Sequence, residues 1–240
     1  MPIRLHKFGD ALGLPDGSPF CLKLEGFLRE AAVPYEVVPF DFSRSFRKAP
    51  KGKLPFIEDE DGTVVGDSSL IIARLSRRHG IDLDGGLDPR QRANSHAFRR
   101  MLDEHLYWVA VFSRWMEDAG WKTVQKTFFS AMPALLRPVA TTLARRQVAA
   151  ALQAQGLGRH SREEIYAAGV KDVMALSAAL GDDAFFFAAD RPTLLDLWAY
   201  AFVAQIIVPP ISSPLQDATR TLANLVGHCE RLQTRLFGQG

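Results

Sequence analysis

Hydrophobic and polar residues are patterned differently in the two parts of the chain. In residues 1–80, short apolar runs of strand length alternate with stretches whose apolar positions recur at helical spacing. This pattern predicts the order β-α-β-α-β-β-α, with strands at 3–8, 35–40, 54–57 and 63–65, helices at 19–32 and 67–79, and a short helix or turn at 43–50. The last two strands form a hairpin, because Asp61-Gly62 is a turn signal. The first part of the chain is therefore an α/β domain.

Beyond residue 80 the pattern changes. Residues 81–89 are rich in Asp, Gly, Leu and Pro and are predicted to be a linker. The spacing in 90–240 predicts an all-α domain, with helices at 90–118, 122–153, 161–181, 193–208 and 214–236. The helix from Thr193 is apolar on nearly every side, which is typical of the central helix of a bundle. Its apolar stretch is too short and too interrupted to span a bilayer.

Charge and cysteine content exclude several classes of protein. The chain has 240 residues, of which 29 are basic and 27 acidic, and the two signs are balanced in both domains. This balance excludes a nucleic acid as the main partner, since such proteins carry a basic face. Cys21 and Cys229 lie far apart and lack metal-ligand spacing, which indicates a reducing, cytoplasmic compartment and no metal site. The acidic run at 58–61 is typical of a solvated hairpin turn.

Three segments of the first domain have the chemistry of a site for an anion. Ser18-Pro19-Phe20-Cys21 begins the first helix, and a helix N-terminus stabilises an anion, a thiolate included. In Lys51-Gly52-Lys53-Leu54-Pro55, the proline at a strand entry is a candidate for a cis peptide bond, which exposes the backbone of Leu54. Asp67-Ser68 begins another helix whose N-terminus can hold a carboxylate.

The order of these segments resembles the thioredoxin-like domain of glutathione transferases. Ser18-Pro19-Phe20-Cys21 is similar to the Cys-Pro-Phe/Tyr-Cys of glutaredoxins, with serine in place of the first cysteine. Lys53-Leu54-Pro55 is similar to the strand that bears the cis-proline of the family, and Asp67-Ser68 to its acidic-Ser motif.

A fourth motif lies in the second domain. Arg191-Pro192-Thr193-Leu194-Leu195-Asp196 resembles the Pro-Thr-x-x-Asp capping box of the same family, in which Thr193 and Asp196 cap one helix reciprocally. The resemblance covers essentially the whole chain and implies the glutathione-transferase fold. Within the superfamily, SPFCLKLEGFLR and KGKLPFIED resemble bacterial relatives of the metaxin and failed-axon-connections group, which is associated with import and structural roles.

The resemblance implies a binding site for glutathione as co-substrate. The backbone N–H and C=O of Leu54 would hold the cysteinyl part of the tripeptide. Asp67 and Ser68 would hold the amine and the carboxylate of the γ-glutamyl group. Lys53, or alternatively Lys51, would pair with the glycyl carboxylate.

Ser18 and Cys21 are the candidates for the catalytic group. The hydroxyl of Ser18 could donate a hydrogen bond to the glutathione sulfur and so lower the pKa of its thiol. The alternative is that Ser18 only caps the helix. Cys21 faces the domain interior, one turn into the helix, and is expected to be a core thiol rather than a nucleophile. Phe8 ends the first strand, where several transferase classes carry a catalytic tyrosine, and has no hydroxyl.

Four aromatic residues of the first C-terminal helix form a cluster on the linker side of that domain: Tyr107, Trp108, Phe112 and Trp115. We expect at least two of them to belong to the core. Tyr107 and Phe112 are the candidates to line an apolar pocket for a hydrophobic second substrate. Tyr107 is also a possible substitute for the tyrosine missing at position 8.

Three functions follow from these readings. The first is a glutathione transferase that activates the thiolate and conjugates it to a hydrophobic electrophile. The second is a non-catalytic, metaxin-like interaction module with the same fold. The third is a glutathione-dependent reductase, which needs an exposed Cys21. The resemblance implies a homodimer. The balanced charge predicts no nucleic-acid partner, and the interrupted apolar stretch predicts no membrane span.

Overall fold

A mixed sheet of four strands forms the centre of the N-terminal domain. The computed structural model describes residues 2–130 and 132–238, without the side chains of residues 42–44. The strands lie in the order β2-β1-β3-β4 and comprise β1 (Ile3–His6), β2 (Tyr35–Val38), β3 (Phe56–Glu58) and β4 (Val64–Gly66). β1 is parallel to β2 and antiparallel to β3, and β3 is antiparallel to β4.

Three helices complete this domain in the predicted order: α1 (Pro19–Glu30), α2 (Phe42–Lys48) and α3 (Ser68–His79). α3 ends at His79 and is capped by Gly80, whose left-handed φ of 66° suits a residue without a Cβ. β1, β2 and β3 are shorter than predicted, and β1 ends two residues before Phe8. The α/β order itself agrees with the sequence prediction.

The C-terminal domain consists of helices α4 (Pro89–Met101), α5 (Tyr107–Trp115), α6 (Asp118–Phe128), α7 (Arg137–Gln155), α8 (Arg162–Leu180), α9 (Leu194–Ile207), α10 (Pro214–Arg220) and α11 (Ala223–Phe237). A π-helical turn, Leu102–Leu106, joins α4 to α5, and 3₁₀ turns lie at Leu157–Arg159 and Phe186–Ala188.

Two long helices predicted from the sequence are each divided in the structure. The helix predicted at 122–153 is wrong: α6 and α7 are separate, because Pro133 and Pro138 remove backbone N–H groups that one continuous helix needs. The helix predicted at 214–236 is likewise divided, into α10 and α11. The helix predicted at 90–118 contains the π-helical turn and ends at Trp115.

Helix α9 lies at the centre of the C-terminal domain, as its apolar sequence predicts. Twelve of its residues are buried, and α1 of the N-terminal domain packs against it. The capping box is present: the backbone N–H of Thr193 donates to Asp196 Oδ2 at 2.7 Å. Asp196 is fully buried and also accepts hydrogen bonds from Phe186 N and His228 Nε2. Asp196 of the capping box therefore connects α9 to α11 and to the 3₁₀ turn at Phe186–Ala188.

The acidic run at the hairpin is not a simple solvated turn, contrary to the sequence prediction. Asp59 is 2 % exposed and accepts from Arg74 Nε at 2.6 Å and from Arg78 Nη1 at 3.1 Å. Asp61, which is exposed, pairs with the same two arginines. Arginines one turn apart on α3 therefore fasten the hairpin to the helix.

Among the described residues, no helix combines the length and the apolar character that crossing a membrane requires.

Candidate functional site

Ser18 stands at the N-terminus of α1, and its hydroxyl is not used to cap the helix. Its backbone is extended (φ −114°, ψ 128°), Pro19 occupies the first helical turn, and the side chain forms no cap hydrogen bond. The backbone N–H of Ser18 donates instead to Asp16 Oδ1 at 2.8 Å. The interpretation of Ser18 as only a helix cap is therefore wrong for its side chain. The Ser18 hydroxyl therefore lies at the positive end of the dipole of α1.

Cys21 lies on α1, three residues after Ser18, and is fully buried. It packs with Ala49, Leu54 and Phe56, and Phe8 lies against this group. Burial raises the pKa of the Cys21 thiol well above its usual value, while hydrogen bonds from the backbone of Phe8 and from the Ser18 hydroxyl act in the opposite direction. The prediction of a core thiol is confirmed. A reductase that uses Cys21 is contradicted, because it needs an exposed thiolate.

Leu54 offers its backbone beside the same small core. The Leu54–Pro55 peptide bond is cis, and the side chain of Leu54 is buried against Cys21. No hydrogen bond from the described part of the chain reaches the N–H or the C=O of Leu54. Because backbone groups in such a position normally have partners, this pair is suited to bind the backbone of a peptide ligand.

The N-terminus of α3 is the second helix end in this region. Asp67 caps it through hydrogen bonds from Ser69 N at 2.9 Å and Leu70 N at 3.2 Å. Its φ of 83° is rare for a residue other than glycine, and such outliers cluster at ligand sites. Ser68 is 4 % exposed. One carboxylate oxygen of Asp67, Oδ1, therefore caps α3, a role that the sequence did not predict.

The two candidate lysines differ in their surroundings. Lys51 Nζ lies 3.7 Å from Asp67 Oδ2 and so pairs with the cap of α3. Lys53 is exposed and has no ion-pair partner among the described side chains. Lys53 is therefore the lysine that remains available for an external carboxylate.

Sequence reasoning missed a buried lysine, Lys23, on the helix that follows Ser18. Lys23 on α1 is 1 % exposed, and its Nζ lies 2.7 Å from Asp103 Oδ1 and 4.2 Å from the ring centroid of Trp198. Burial lowers its pKa to about 8, although Asp103 acts to raise it. Nζ also lies 3.5 Å from Ser69 Oγ, so that α1, α3 and the C-terminal domain meet at one cation. The signal was present, since Lys23 occupies an apolar position of α1, three residues after Phe20.

Tyr107 is the aromatic residue that reaches the first turn of α1. Its ring packs edge-on against Phe20 at 4.8 Å and also contacts Phe202 and Trp108. Burial raises the pKa of its hydroxyl, while the positive charge of Arg114 lowers it. The hydroxyl has no hydrogen-bond partner in the described ranges.

The other aromatic residues of the cluster lie against different helices. Phe112 packs edge-on against Tyr166 of α8 at 5.8 Å, and Trp115 contacts Trp121 of α6 at 5.7 Å. Tyr107, Trp108 and Phe112 are half-buried and pack against the main core. The cluster is therefore not one pocket, and Tyr107 is the member that the contacts place next to α1.

Arg114 and Gln205 hold the loop that precedes Ser18, and sequence reasoning missed both. Arg114 Nη1 donates to the carbonyl oxygen of Gly17 at 2.9 Å, and Nη2 donates to Gln205 Oε1 at 2.7 Å. Gln205 Nε2 in turn donates to the carbonyl oxygen of Asp16 at 2.7 Å. Desolvation lowers the pKa of Arg114 to about 10, so the guanidinium stays charged at neutral pH. Two helices of the C-terminal domain therefore fix the backbone before Ser18.

Asp16 lies in the same loop, and its carboxylate holds the backbone of two neighbouring residues. Its carboxylate is fully buried and accepts from Gly9 N at 2.9 Å and from Ser18 N at 2.8 Å. Burial raises its pKa to about 6, although these two backbone hydrogen bonds act to lower it. Among the described residues, no group of three or more His, Cys, Asp or Glu side chains is arranged to hold a metal ion.

A thioredoxin-like domain with a cis-proline beside the first helix, joined to an all-helical domain, is the architecture of glutathione transferases. The family of the glutathione S-transferase N-terminal domain matches residues 19–120, and that of the glutathione S-transferase C-terminal domain matches residues 169–232. The chain belongs to the glutathione S-transferase family.

Its relatives include an enzyme and proteins named for other roles. The isoprene-epoxide glutathione S-transferase of Rhodococcus sp. (strain AD45) is 34 % identical over 96 % of this chain and 98 % of its own length. The failed axon connections protein of Drosophila melanogaster is 36 % identical over 98 % of this chain. The match covers 58 % of that protein, so the chain spans little more than half of it. Human metaxin-1 is 28 % identical over 98 % of the chain.

Solved structures have the same fold. The β-etherase LigF from Sphingobium sp. strain SYK-6 superposes over the whole of both chains with a TM-score of 0.69 at 18 % identity. A glutathione S-transferase from Methylobacterium radiotolerans, in complex with glutathione sulfonate, covers 99 % of this chain with a TM-score of 0.61 at 20 % identity, and 93 % of its own chain is matched.

Proposed function

We propose that this chain binds glutathione across the N-termini of α1 and α3 and transfers its thiolate to an apolar electrophile. The observation that carries the proposal is the group formed by Ser18, Cys21 and Leu54. The Ser18 hydroxyl is free of the helix and adjoins Cys21, which in turn packs against Leu54 with its unpartnered backbone. A cysteinyl residue bound to Leu54 would present its sulfur towards Ser18.

The remaining parts of the tripeptide fit the neighbouring helix end. The γ-glutamyl group would lie at Asp67 and Ser68, where the helix N-terminus favours its carboxylate. Its amine would meet the carboxylate of Asp67, which is 43 % exposed. Lys53, exposed and without an ion-pair partner among the described residues, would pair with the glycyl carboxylate.

The chemistry requires a thiolate and a pocket. A hydrogen bond from Ser18 and the dipole of α1 would both lower the thiol pKa and populate the nucleophile at neutral pH. Because a relative is named for isoprene epoxide, an epoxide is the electrophile to test first. The sulfur would form a bond to an epoxide carbon, the C–O bond would break, and the alkoxide would take a proton from solvent. Tyr107 would form one wall of the pocket for the apolar part.

A metaxin-like module is the second candidate, and it is favoured by the identity of 36 % to failed axon connections. The two candidates differ in turnover. The transferase must bind glutathione and consume it, whereas a module that kept only the fold needs neither. The homodimer and the cytoplasmic location stay predictions for both.

Isothermal titration with glutathione, followed by measurement of conjugate formation with a small epoxide, tests the proposal. We expect saturable binding and a conjugate whose formation depends on the protein. The ultraviolet absorbance of bound thiolate, titrated with pH, gives the thiol pKa in the complex. Binding without a lowered thiol pKa and without conjugate would favour the module, and no binding at all would contradict the site.

A further inference from the structure

Asp16, in the loop before α1, is a buried carboxylate without a cation. It is fully buried and has no ion-pair partner among the residues that the structure describes. Its oxygens accept from backbone N–H groups, Oδ1 from Ser18 at 2.8 Å and Oδ2 from Gly9 at 2.9 Å. Because an ionised carboxylate is costly to bury without a cation, this group readily accepts a proton.

The charged groups that face Asp16 do not neutralise it. Burial is the largest influence and raises the pKa of Asp16 to about 6, against the two backbone hydrogen bonds. Lys7 lowers this pKa and Glu25 raises it, and these two side chains are paired with each other at 2.5 Å. Arg114, the cation of the C-terminal domain that faces the loop, bonds a backbone carbonyl and Gln205 instead. The carboxyl group can therefore change its protonation state near neutral pH.

The charge of Asp16 acts where the glutathione sulfur is proposed to lie. Ser18, whose N–H donates to Asp16, carries the hydroxyl that would hold the sulfur. The thiol of Cys21 shows how a sulfur responds there: burial is the largest cause that raises its pKa, and the charge of Asp16 is the next. The Ser18 hydroxyl acts on the same thiol in the opposite direction. A thiolate held by Ser18 would therefore stand close to a second negative charge.

We propose that Asp16 accepts the proton of the glutathione thiol, an inference that rests on the proposed function. Two neighbouring acidic groups repel each other when both are ionised, so they share one proton. The end of α1 and the Ser18 hydroxyl favour the charge on sulfur, whereas burial favours the proton on Asp16.

The proton moves within the complex instead of leaving it. The S–H bond breaks, the sulfur keeps the electron pair, and an O–H bond forms on the carboxylate of Asp16. A hydroxyl both accepts and donates a proton, and the hydroxyl of Ser18 belongs to the residue that Asp16 holds, so it offers the route. Once the sulfur is alkylated it is no longer charged, and Asp16 returns the proton to solvent.

A carboxyl-carbon NMR titration of the full chain tests the proposal. It is run on the free chain, with saturating glutathione, and with saturating S-methylglutathione, which keeps the peptide but cannot form a thiolate. We expect glutathione to raise the pKa of Asp16 by about one unit or more. S-methylglutathione should leave that pKa within about 0.3 unit of its value in the free chain. Equal midpoints with the two ligands would overturn the proposal.

Proton release on binding gives a second test. Calorimetric titration at about pH 6.5, in buffers of different ionisation enthalpy, counts the protons released, and ultraviolet absorbance counts the thiolates formed. The wild-type chain should release about half a proton or fewer per thiolate, whereas Asp16→Asn, which cannot accept the proton, should release close to one. Asp59→Asn is the control and should behave as the wild type, since it replaces a buried carboxylate at the β3–β4 hairpin that pairs with Arg74.

The outcomes separate this inference from the proposed function. A thiolate that forms while the pKa of Asp16 stays unmoved, or a full proton released per thiolate by the wild type, overturns the inference alone. Absence of glutathione binding, or binding without a thiolate, overturns both. If circular dichroism shows that Asp16→Asn does not fold, the NMR titration of the wild-type chain with the two ligands still decides.

Discussion

Arg114 of α5 donates a hydrogen bond from Nη1 to the carbonyl oxygen of Gly17, 2.9 Å away and one residue before Ser18. The contact spans 97 residues of sequence and crosses from the C-terminal to the N-terminal domain. The other nitrogen of the same guanidinium bonds Gln205, which holds the carbonyl of Asp16. The helical domain therefore holds the backbone that immediately precedes Ser18.

Arg114→Gln should lower both stability and conjugation. The shorter neutral side chain leaves the carbonyl of Gly17 and the amide of Gln205 without their charged donor, at a cost of roughly 2–3 kcal/mol in the free energy of unfolding. The thiol pKa of bound glutathione should rise, because the Ser18 hydroxyl loses its fixed position. Urea unfolding and the pH dependence of conjugation measure the two effects. Arg146→Gln, at an exposed arginine of α7, is the control and should stay within about 0.5 kcal/mol of wild type. Wild-type stability in Arg114→Gln would contradict the role of this contact.

Lys23→Met should destabilise the contact between the two domains. The substitution leaves the carboxylate of Asp103 buried, with the Nε1–H of Trp198 at 3.1 Å as its remaining donor, and breaking such a buried pair costs roughly 3–5 kcal/mol. The double variant Lys23→Met/Asp103→Leu should lose less than the sum of the two single variants, since neither charge is then left unpaired. Chemical denaturation measures the cycle, and Lys171→Met is the exposed control. Strict additivity would show that the two charges do not interact.

The contacts of Arg114 and Lys23 could not be predicted from the sequence. The order of elements, the central position of α9 and the Thr193–Asp196 box depend on residues close together in sequence, and they agree with the structure. The partners of Lys23 and Arg114 lie about 80 to 97 residues away, and one sequence contains no signal that pairs them. The division between α6 and α7 is different, because Pro133 and Pro138 are signals within the sequence itself that one continuous helix at 122–153 is disfavoured.

The carboxyl group of Asp16 should titrate near pH 6. Burial raises its pKa from 3.8 to about 6, so between these pH values the folded chain binds a proton that the unfolded chain does not. The free energy of unfolding should therefore fall by roughly 2–3 kcal/mol as pH rises from about 4 to about 6. A carboxyl-carbon NMR titration gives the midpoint directly, and Asp16→Asn should remove this part of the pH dependence of urea unfolding. A midpoint near 4 would mean that the carboxylate is better solvated than its burial indicates.

Asp67 and Ser68 should each contribute to glutathione affinity. Asp67→Ala and Ser68→Ala are expected to weaken binding by roughly 1.5–3 kcal/mol, the scale of a charge-assisted hydrogen bond. Asp67→Ala also removes the cap of α3, so Asp67→Asn is the better test: asparagine caps well but lacks the charge that the amine requires. Calorimetric titration measures all three variants. Unchanged affinity in Asp67→Asn and in Ser68→Ala would place the γ-glutamyl group elsewhere.

Ser18→Ala separates activation of a thiolate from stabilisation of a helix. If the hydroxyl donates to the glutathione sulfur, the thiol pKa in the complex should rise by about one unit or more, equivalent to about 1.4 kcal/mol, and conjugation at neutral pH should fall while glutathione affinity changes little. The loss of stability should be small, because the Ser18 side chain makes no cap hydrogen bond and its partner Cys21 is a weakly hydrogen-bonding thiol. Ser161 supplies the matched control: its side chain does accept the cap hydrogen bond from Glu164 N of α8, so Ser161→Ala should cost about 1 kcal/mol and leave the thiol pKa unmoved. Ser18→Asp should repel the thiolate and raise its pKa further than alanine does. Loss of stability in Ser18→Ala with an unmoved thiol pKa would show that the serine serves the helix after all, and the metaxin-like module would become the better description of this chain.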